Sequence, residues 1–290
     1  MTRTVKKWSA KDTSTCIITP SDLDHKYSRG VLGVITGSAQ FPGAAVLTTA
    51  AASATPEQPL VGEFSPTNTS RTSKAIAIVG MSCRLPGGIE GPSMLWDVVE
   101  AGRSVVGEVP FSRWDVDAVL ASDPMLSEDA QKRMRYGGFM HDLELFDASF
   151  FRISSAEASA MDPQQRLLLE YAHLAFVDAG YSREDLQGRN VGVFVGMSTP
   201  DAVEVFLRSG LRTVFSTNSS SNATAAGRIS FVFGLHGPCA AYDTACSSSL
   251  VALHAAVRGL QNGDCEIALV LGVSVILTSS SSYNCAVAGM

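Results

Sequence analysis

The chain has 290 residues, 46% of them hydrophobic, enough for one large domain or two ordinary ones around a substantial core. Its formal net charge of −6, with no Lys/Arg run long enough to track a phosphate backbone, argues against a nucleic-acid partner. Six dispersed cysteines (Cys16, Cys83, Cys239, Cys246, Cys265, Cys285) follow no framework of a small secreted domain and point to a reducing, cytoplasmic setting; the nearest approach to a metal cluster, His236, Cys239 and Cys246, lacks paired spacing, so no metal site is expected.

Residues 1–73 read unlike the remainder. They hold seven Lys/Arg and five Asp/Glu, whereas residues 74–290 hold 15 and 23, so a basic segment precedes an acidic one. Residues 30–56 carry no charge, which raises the question of a membrane span, but Gly33, Gly37, Gln40, Pro42 and Gly43 break the stretch and large apolar residues are few, so none is expected. "TTAAASATPEQPLVGEFSPTNTSRTS" (48–73) is rich in Ala, Ser, Thr and Pro without periodicity and reads as a linker. Arg3, Lys6, Lys7 and Lys11 suit a targeting peptide, against which stand Asp12, Asp22 and Asp24. The expectation for residues 1–73 is a largely disordered leader without an assigned role.

From Lys74 the texture changes. "KAIAIVG" (74–80) is an apolar run closed by glycine, a buried strand, and residues 83–88 read as a Gly/Pro turn. "PSMLWDVVEAG" (92–102) predicts a helix with Leu95, Val98 and Val99 on one face, and residues 103–150 read as irregular loops. "MDPQQRLLLEYAHLAFVDAG" (161–180) has Asp162 as N-cap, Pro163 at the first helical position and Gly180 as a stop, with Gln164 and Gln165 on the helix surface. A strand at 191–196, a helix rich in small residues at 221–234, a strand at 239–243, a helix at 246–262 stopped by Gly263 and a long strand at 265–277 complete the order. Continuously apolar strands alternating with helices predict an α/β fold whose parallel or mixed sheet is covered on both faces. Only nine charged residues follow from Asn190 to the end, so that part is expected to be interior or interface.

In "YDTACSSSLVALHAAVRG" (242–259), Cys246 stands where a strand gives way to a helix. The amino end of a helix offers backbone N–H groups and a positive dipole end, both of which favour thiolate over thiol, and the thiolate is the nucleophile. Ser247, Ser248 and Ser249 are small enough for close approach to neighbouring backbone and to a substrate, while Leu250, Val251, Leu253, Val257 and Leu260 are expected to anchor the helix in the core. Asp243 and Thr244 are candidates for orienting the turn. From the pattern by itself, Cys246 reads equally as a catalytic nucleophile and as a small buried hydrophobe.

The segment "DTACSSSLVALH" resembles the active-site segment of the β-ketoacyl synthase (ketosynthase) domain of type I polyketide synthases. "IAIVGMSCRLPGG" (76–88), "RWDVD" (113–117), "GGFMHDLELFDASFF" (137–151), "MDPQQRLLLE" (161–170), "VGVFVG" (191–196) and "AAGRISFVFGLHGPCAAYDTACSSSL" (225–250) resemble further segments of that domain in the same order. The resemblance runs from about Lys74 to Met290 and so marks residues 74–290 as the N-terminal portion of such a domain. It implies a thiolase-like fold, two similar α/β halves in a layered αβαβα arrangement, truncated here in its second half, and a homodimer in the full-length domain. It implies that Cys246 takes an acyl chain from the phosphopantetheine thiol of an acyl carrier protein, with no bound cofactor. The acyl-enzyme is then attacked by the carbanion from decarboxylation of a malonyl-type unit, and the N–H of Cys246 serves the oxyanion.

The resemblance also implies two histidines, in an H-G-T-G-T and an N-I-G-H segment, neither of which occurs in these 290 residues. Of the five histidines present, His25, His141, His173 and His236 lie in other segments, and His254 lies eight residues beyond Cys246, roughly 12 Å along a helix axis; none is expected to be the missing base. The expectation is an acyltransferase cut short, with fatty-acid or polyunsaturated-fatty-acid elongation as the alternative chemistry and a non-catalytic dimerisation or carrier-docking fragment as the alternative class. The residues 80–88 turn lacks the G-K-[ST] of a phosphate loop, and the N-x-[ST] triplets at 68, 218 and 222 read as chance in Ser/Thr-rich stretches.

Overall fold

In the computed structural model the described residues are 30–36, 75–198, 201–210, 213–216, 218 and 221–289. The strands in chain order are β1 (Gly30–Thr36), β2 (Ile76–Leu85), β3 (Ile89–Glu90), β4 (Gly107–Glu108), β5 (Tyr136–Gly137), β6 (Val191–Met197), β7 (Cys239–Tyr242) and β8 (Ile267–Val273). The helices are α1 (Pro92–Glu100), α2 (Val116–Ala121), α3 (Glu128–Met134), α4 (Ser155–Ala160), α5 (Pro163–Asp178), α6 (Arg183–Leu186), α7 (Ala202–Ser209), α8 (Asn222–Phe233), α9 (Ser248–Asn262) and α10 (Ser279–Val287).

One sheet runs in the order β3-β2-β1-β8-β6-β7, parallel except for the β2–β3 hairpin. Strands β6 and β8 are buried at every position because both faces are covered. Val193, Val195, Met197, Leu269 and Leu271 join the core built with α5 and α8, whereas the alternate residues Phe194, Ala268 and Val270 join the core built with α9. Side chains such as Leu168, Leu169 and Phe176 of α5 are fully buried in the first of these, each contributing about 1.5–3 kcal/mol by leaving water.

The signals around α5 act as the sequence predicts. The Asp162 carboxylate accepts from the Gln164 N–H at 2.7 Å, Pro163 opens the helix, and Gly180 at φ 78° follows its end. Gln164 and Gln165, expected on the surface, are instead buried. The reason lies outside the helix: Gln165 accepts from Arg228 Nε at 3.0 Å and donates to the Asn218 carbonyl at 3.1 Å, so its amide is satisfied inside the protein.

Other expectations change in detail. β2 continues through Cys83 to Leu85, where Leu85 pairs with Ile89, so the turn is confined to residues 86–88. On α1, Leu95 and Val98 pack on Cys83, Leu85 and Ile89, but Val99 is exposed. Residues 103–150 contain α2, α3 and the β4–β5 pair; these helices have six and seven residues, too short to show a period, and are started by Asp115 and Ser127 side chains accepting from the Ala118 and Ala130 N–H groups. β8 stops at Val273, and α10 follows. A run of serines hides this helix in the sequence; its amino end is organised by Asp201, which accepts from the N–H groups of Leu277 and Thr278, and by Glu204, which accepts from the hydroxyls of Thr278 and Ser280.

Within the leader, Gly30–Thr36 forms β1 in the middle of the sheet, parallel to β2 and β8, which do not pair with each other. The rest of residues 1–73, with His25, Cys16 and the linker, lies outside the described residues. Among the described residues no helix is long and apolar enough to cross a membrane.

Candidate active site

Strand β7 ends at Tyr242, and α9 begins at Ser248; Cys246 sits between them in a one-turn 3₁₀ segment, Ala245–Ser247. The sequence predicts a helix that starts at Cys246, two positions too early. α9 starts only after Ser247, at φ −93° and ψ 0°, and Ala245 on the amino side of Cys246 adopts a left-handed backbone, φ 55°. An alanine held there is one of three non-glycine residues with positive φ in the described chain. Conformations of this kind persist only where surrounding contacts over-determine them.

Those contacts are present. The Asp243 carboxylate accepts from the Ala245 N–H at 3.1 Å, and the Ser248 hydroxyl accepts from the Thr244 N–H at 2.9 Å while donating to the Ala245 carbonyl at 2.7 Å. The Ser247 hydroxyl donates to Thr244, whose carbonyl and Oγ1 lie 2.9 and 2.8 Å away. Asp243 and Thr244 thus hold the turn, as the sequence suggested, and Ser248, read there only as a small residue, is its central pin. The signal for it was the serine run, which does not reveal which hydroxyl turns inward.

Cys246 itself is exposed. Cys83 and Cys265 are the small buried hydrophobes, and burial pushes both thiols up from their ordinary value. Helix α9 lies on the sheet through Ala252, Ala256 and Gly259, with Leu253 and Leu260 also buried. Of the five expected anchors, Leu253 and Leu260 are buried and Val257 packs against them, whereas Val251 is half-buried and Leu250 is exposed; the small Ala252, Ala256 and Gly259 supply the rest of the contact.

The described histidines stay apart from this turn. His254 is exposed on α9. His173 rests against Phe150, with its pKa lowered by burial and by Arg183; His236 lies in a turn whose N–H bonds Arg189, and the His141 carbonyl accepts from Arg84. Among the described residues no group of three His, Cys, Asp or Glu could hold a metal ion. An open depression of about 850 Å³, lined by residues including Phe151, Arg152, Glu157, Arg228 and Phe231, does not include the Cys246 turn.

Residues 73–290 match the family model described as the beta-ketoacyl synthase N-terminal domain. The chain is 44% identical over 214 residues to polyketide synthase GfsB of Streptomyces halstedii, covering 70% of this chain and 4% of that protein. It is 45% identical over 230 residues to the pikromycin polyketide synthase component PikAII of Streptomyces venezuelae, covering 78% and 6%. Among solved structures, it is similar to the ketosynthase from module 6 of the bacillaene synthase of Bacillus subtilis 168 (37% identity, TM-score 0.60, 73% of this chain and 34% of that one). The oxazolomycin ketosynthase domain OzmH KS7 of Streptomyces albus JA3453 gives 36% identity and a TM-score of 0.63, over 73% and 37%. The chain therefore spans about a third of the solved ketosynthases and a small part of the synthases it matches.

Proposed function

Because this chain belongs to the β-ketoacyl synthase family and shares its thiolase-like α/β fold, we propose that Cys246 is the acyl-accepting nucleophile of a polyketide ketosynthase. The observation that carries the reading is the turn: an exposed thiol, preceded by a left-handed alanine, held by side-chain hydrogen bonds at the amino end of a 15-residue helix. Burial fits Cys83 and Cys265 to packing; exposure and rigid mounting fit Cys246 to chemistry.

The acyl donor is a thioester on the phosphopantetheine of an acyl carrier protein domain. The Cys246 sulfur attacks the thioester carbonyl carbon, and the N–H of Cys246 donates a hydrogen bond to the tetrahedral oxyanion. Collapse breaks the bond to the pantetheine sulfur, which leaves and takes up a proton, and the acyl group remains on Cys246. In the second step a malonyl-type unit on a carrier loses carbon dioxide; its carbanion attacks the acyl carbon, the bond to Cys246 breaks, and a 3-oxoacyl thioester forms. Since His254 is two turns along α9 and His141, His173 and His236 belong to other contacts, the part of this reaction assigned to the present residues is acyl loading. The homodimer of the whole domain belongs to the same reading, and β7 ends the sheet with one edge unpaired among the described residues. Relatives named as polyketide synthases favour that chemistry over fatty-acid elongation.

The test is incubation of the 290-residue chain with the hexanoyl thioester of N-acetylcysteamine, followed by peptide mass mapping. One acyl group on Cys246, abolished by Cys246→Ala, is expected. Acylation of Cys239 or Cys83 instead, or no acylation, would overturn the assignment and favour a non-catalytic docking role.

A further inference from the structure

Strand β6 runs alongside α9 with a glycine near each end of the contact. At one end, a Cβ added to Gly192 would meet the Phe194 side chain at 2.6 Å and Cys265 Sγ at 3.0 Å, the same groups that face Gly259 in the last turns of α9. At the other end, a Cβ added to Gly196 would lie 2.5 Å from the Ser248 carbonyl carbon and the Ser249 nitrogen and 2.6 Å from Ser249 Cα. Those contacts are roughly 1 Å inside normal carbon separation. At Gly192 the obstacles are side-chain atoms; at Gly196 they are the backbone of the first turn of α9.

Gly196 does not need glycine for its own backbone, since it lies in a strand without a positive φ. What it supplies is space. Its partners across the sheet are Gly272 and Tyr242, the last residue of β7 before the turn. Gly196 therefore stands between the two stems of the Cys246 turn, beside Tyr242 as the chain enters and against Ser248 and Ser249 as it leaves. From Ser248 the linkage is continuous: its hydroxyl binds the Thr244 N–H and the Ala245 carbonyl, and Ala245 is the left-handed residue that presents Cys246.

Resting on the reading of Cys246 as the nucleophile, we infer that Gly196 is a positioning residue, whose missing side chain seats the start of α9 and so sets where the thiol and its N–H stand. β6 is buried and paired on both sides, so it cannot yield to an added methyl; the start of α9 must move, and Cys246 moves with it.

The experiment compares Gly196→Ala with Gly192→Ala in the 290-residue chain. For each, the single-turnover acylation of Cys246 by the hexanoyl thioester is followed by mass spectrometry over a range of thioester concentration, beside a thermal melt. The amplitude reports the folded fraction and the maximal rate constant reports geometry. Gly196→Ala is expected to lower the maximal rate constant by about tenfold or more, with amplitude and half-saturating concentration unchanged. Gly192→Ala is expected to lower the melting temperature and leave the rate constant in place. Equal rate constants in all three chains, or losses that merely follow the melting temperature in both variants, overturn the inference. Should Gly196→Ala show no cooperative melt, Ser248→Ala, which removes both hydrogen bonds of the Ser248 hydroxyl, must produce the same selective loss; an unchanged rate constant there overturns it as well. If the wild-type chain does not acylate, the functional reading fails on its own, and iodoacetamide labelling of Cys246, with exposed Cys239 as the internal reference, decides the placement. In that arm, Gly196→Ala must change the Cys246 to Cys239 ratio where Gly192→Ala does not; an unchanged ratio overturns the inference.

Discussion

Asp162 shows at the scale of one residue how a cap and a buried charge pull against each other. Its carboxylate accepts from the Gln164 backbone and side-chain N–H groups, but burial dominates and pushes its pKa up to about 6 from 3.8. A carboxyl raised in the folded state stabilises the fold while protonated; that contribution is full below about 4 and is lost as pH rises through about 6. Asn retains the capping oxygen without the charge. Asp162→Asn is therefore expected to gain stability relative to the wild type between pH 4 and 7, by up to about 3 kcal/mol, as a difference between denaturant midpoints measured across that range. The capping role was legible in "MDPQQR"; the burial was not, and for Gln165 the partners that satisfy its amide inside the protein, Asn218 and Arg228, come from remote parts of the chain. The same holds for Cys246: its place between strand and helix is readable locally, whereas the left-handed Ala245 and the inward hydroxyl of Ser248 are products of the folded turn.

Between elements, α4, α5 and α8 are joined by one side chain. Arg228 of α8 donates to Gln165 of α5 and pairs with Glu157 of α4, with 11% of its side chain exposed. Removing one partner of an enclosed pair strands the other, at about 3–5 kcal/mol when burial is complete. Glu157 retains 27% exposure, so Arg228→Ala is expected to cost about 2–3 kcal/mol in urea unfolding. Arg228→Lys should recover less than half of it, because an ammonium cannot reproduce the geometry of the guanidinium fork. The helices themselves were readable where they are long and bounded: α5 by Asp162, Pro163 and Gly180, and α8 and α9 by Gly234 and Gly263, both in left-handed conformation after the helix end. Short α2 and α3 and serine-rich α10 were not, because caps and contacts from Asp201 and Glu204, rather than an apolar period, define them.

At the scale of the whole molecule, the sheet depends on a strand that precedes the family-matched residues. β1 supplies the pairing for β2 on one side and β8 on the other. Proline in its middle removes a ladder N–H from a central strand. Val34→Pro is therefore expected to destabilise the chain by about 3 kcal/mol or more, and to lift hydrogen-exchange protection first from β2 and β8; unchanged protection in both would show that the sheet does without β1. Composition and order determined the α/β class, the two-sided burial of β6 and β8, and the segments that mark the family, because continuous apolar runs, caps and glycine stops act through near neighbours in sequence. Only the tertiary structure decided that Gly30–Thr36 enters the sheet, that Ala252, Ala256 and Gly259 let α9 approach it closely, and that Gly196 meets Ser248. Each of these is a contact between backbones far apart in the chain, where what matters is the space between two elements and not the pattern of either one.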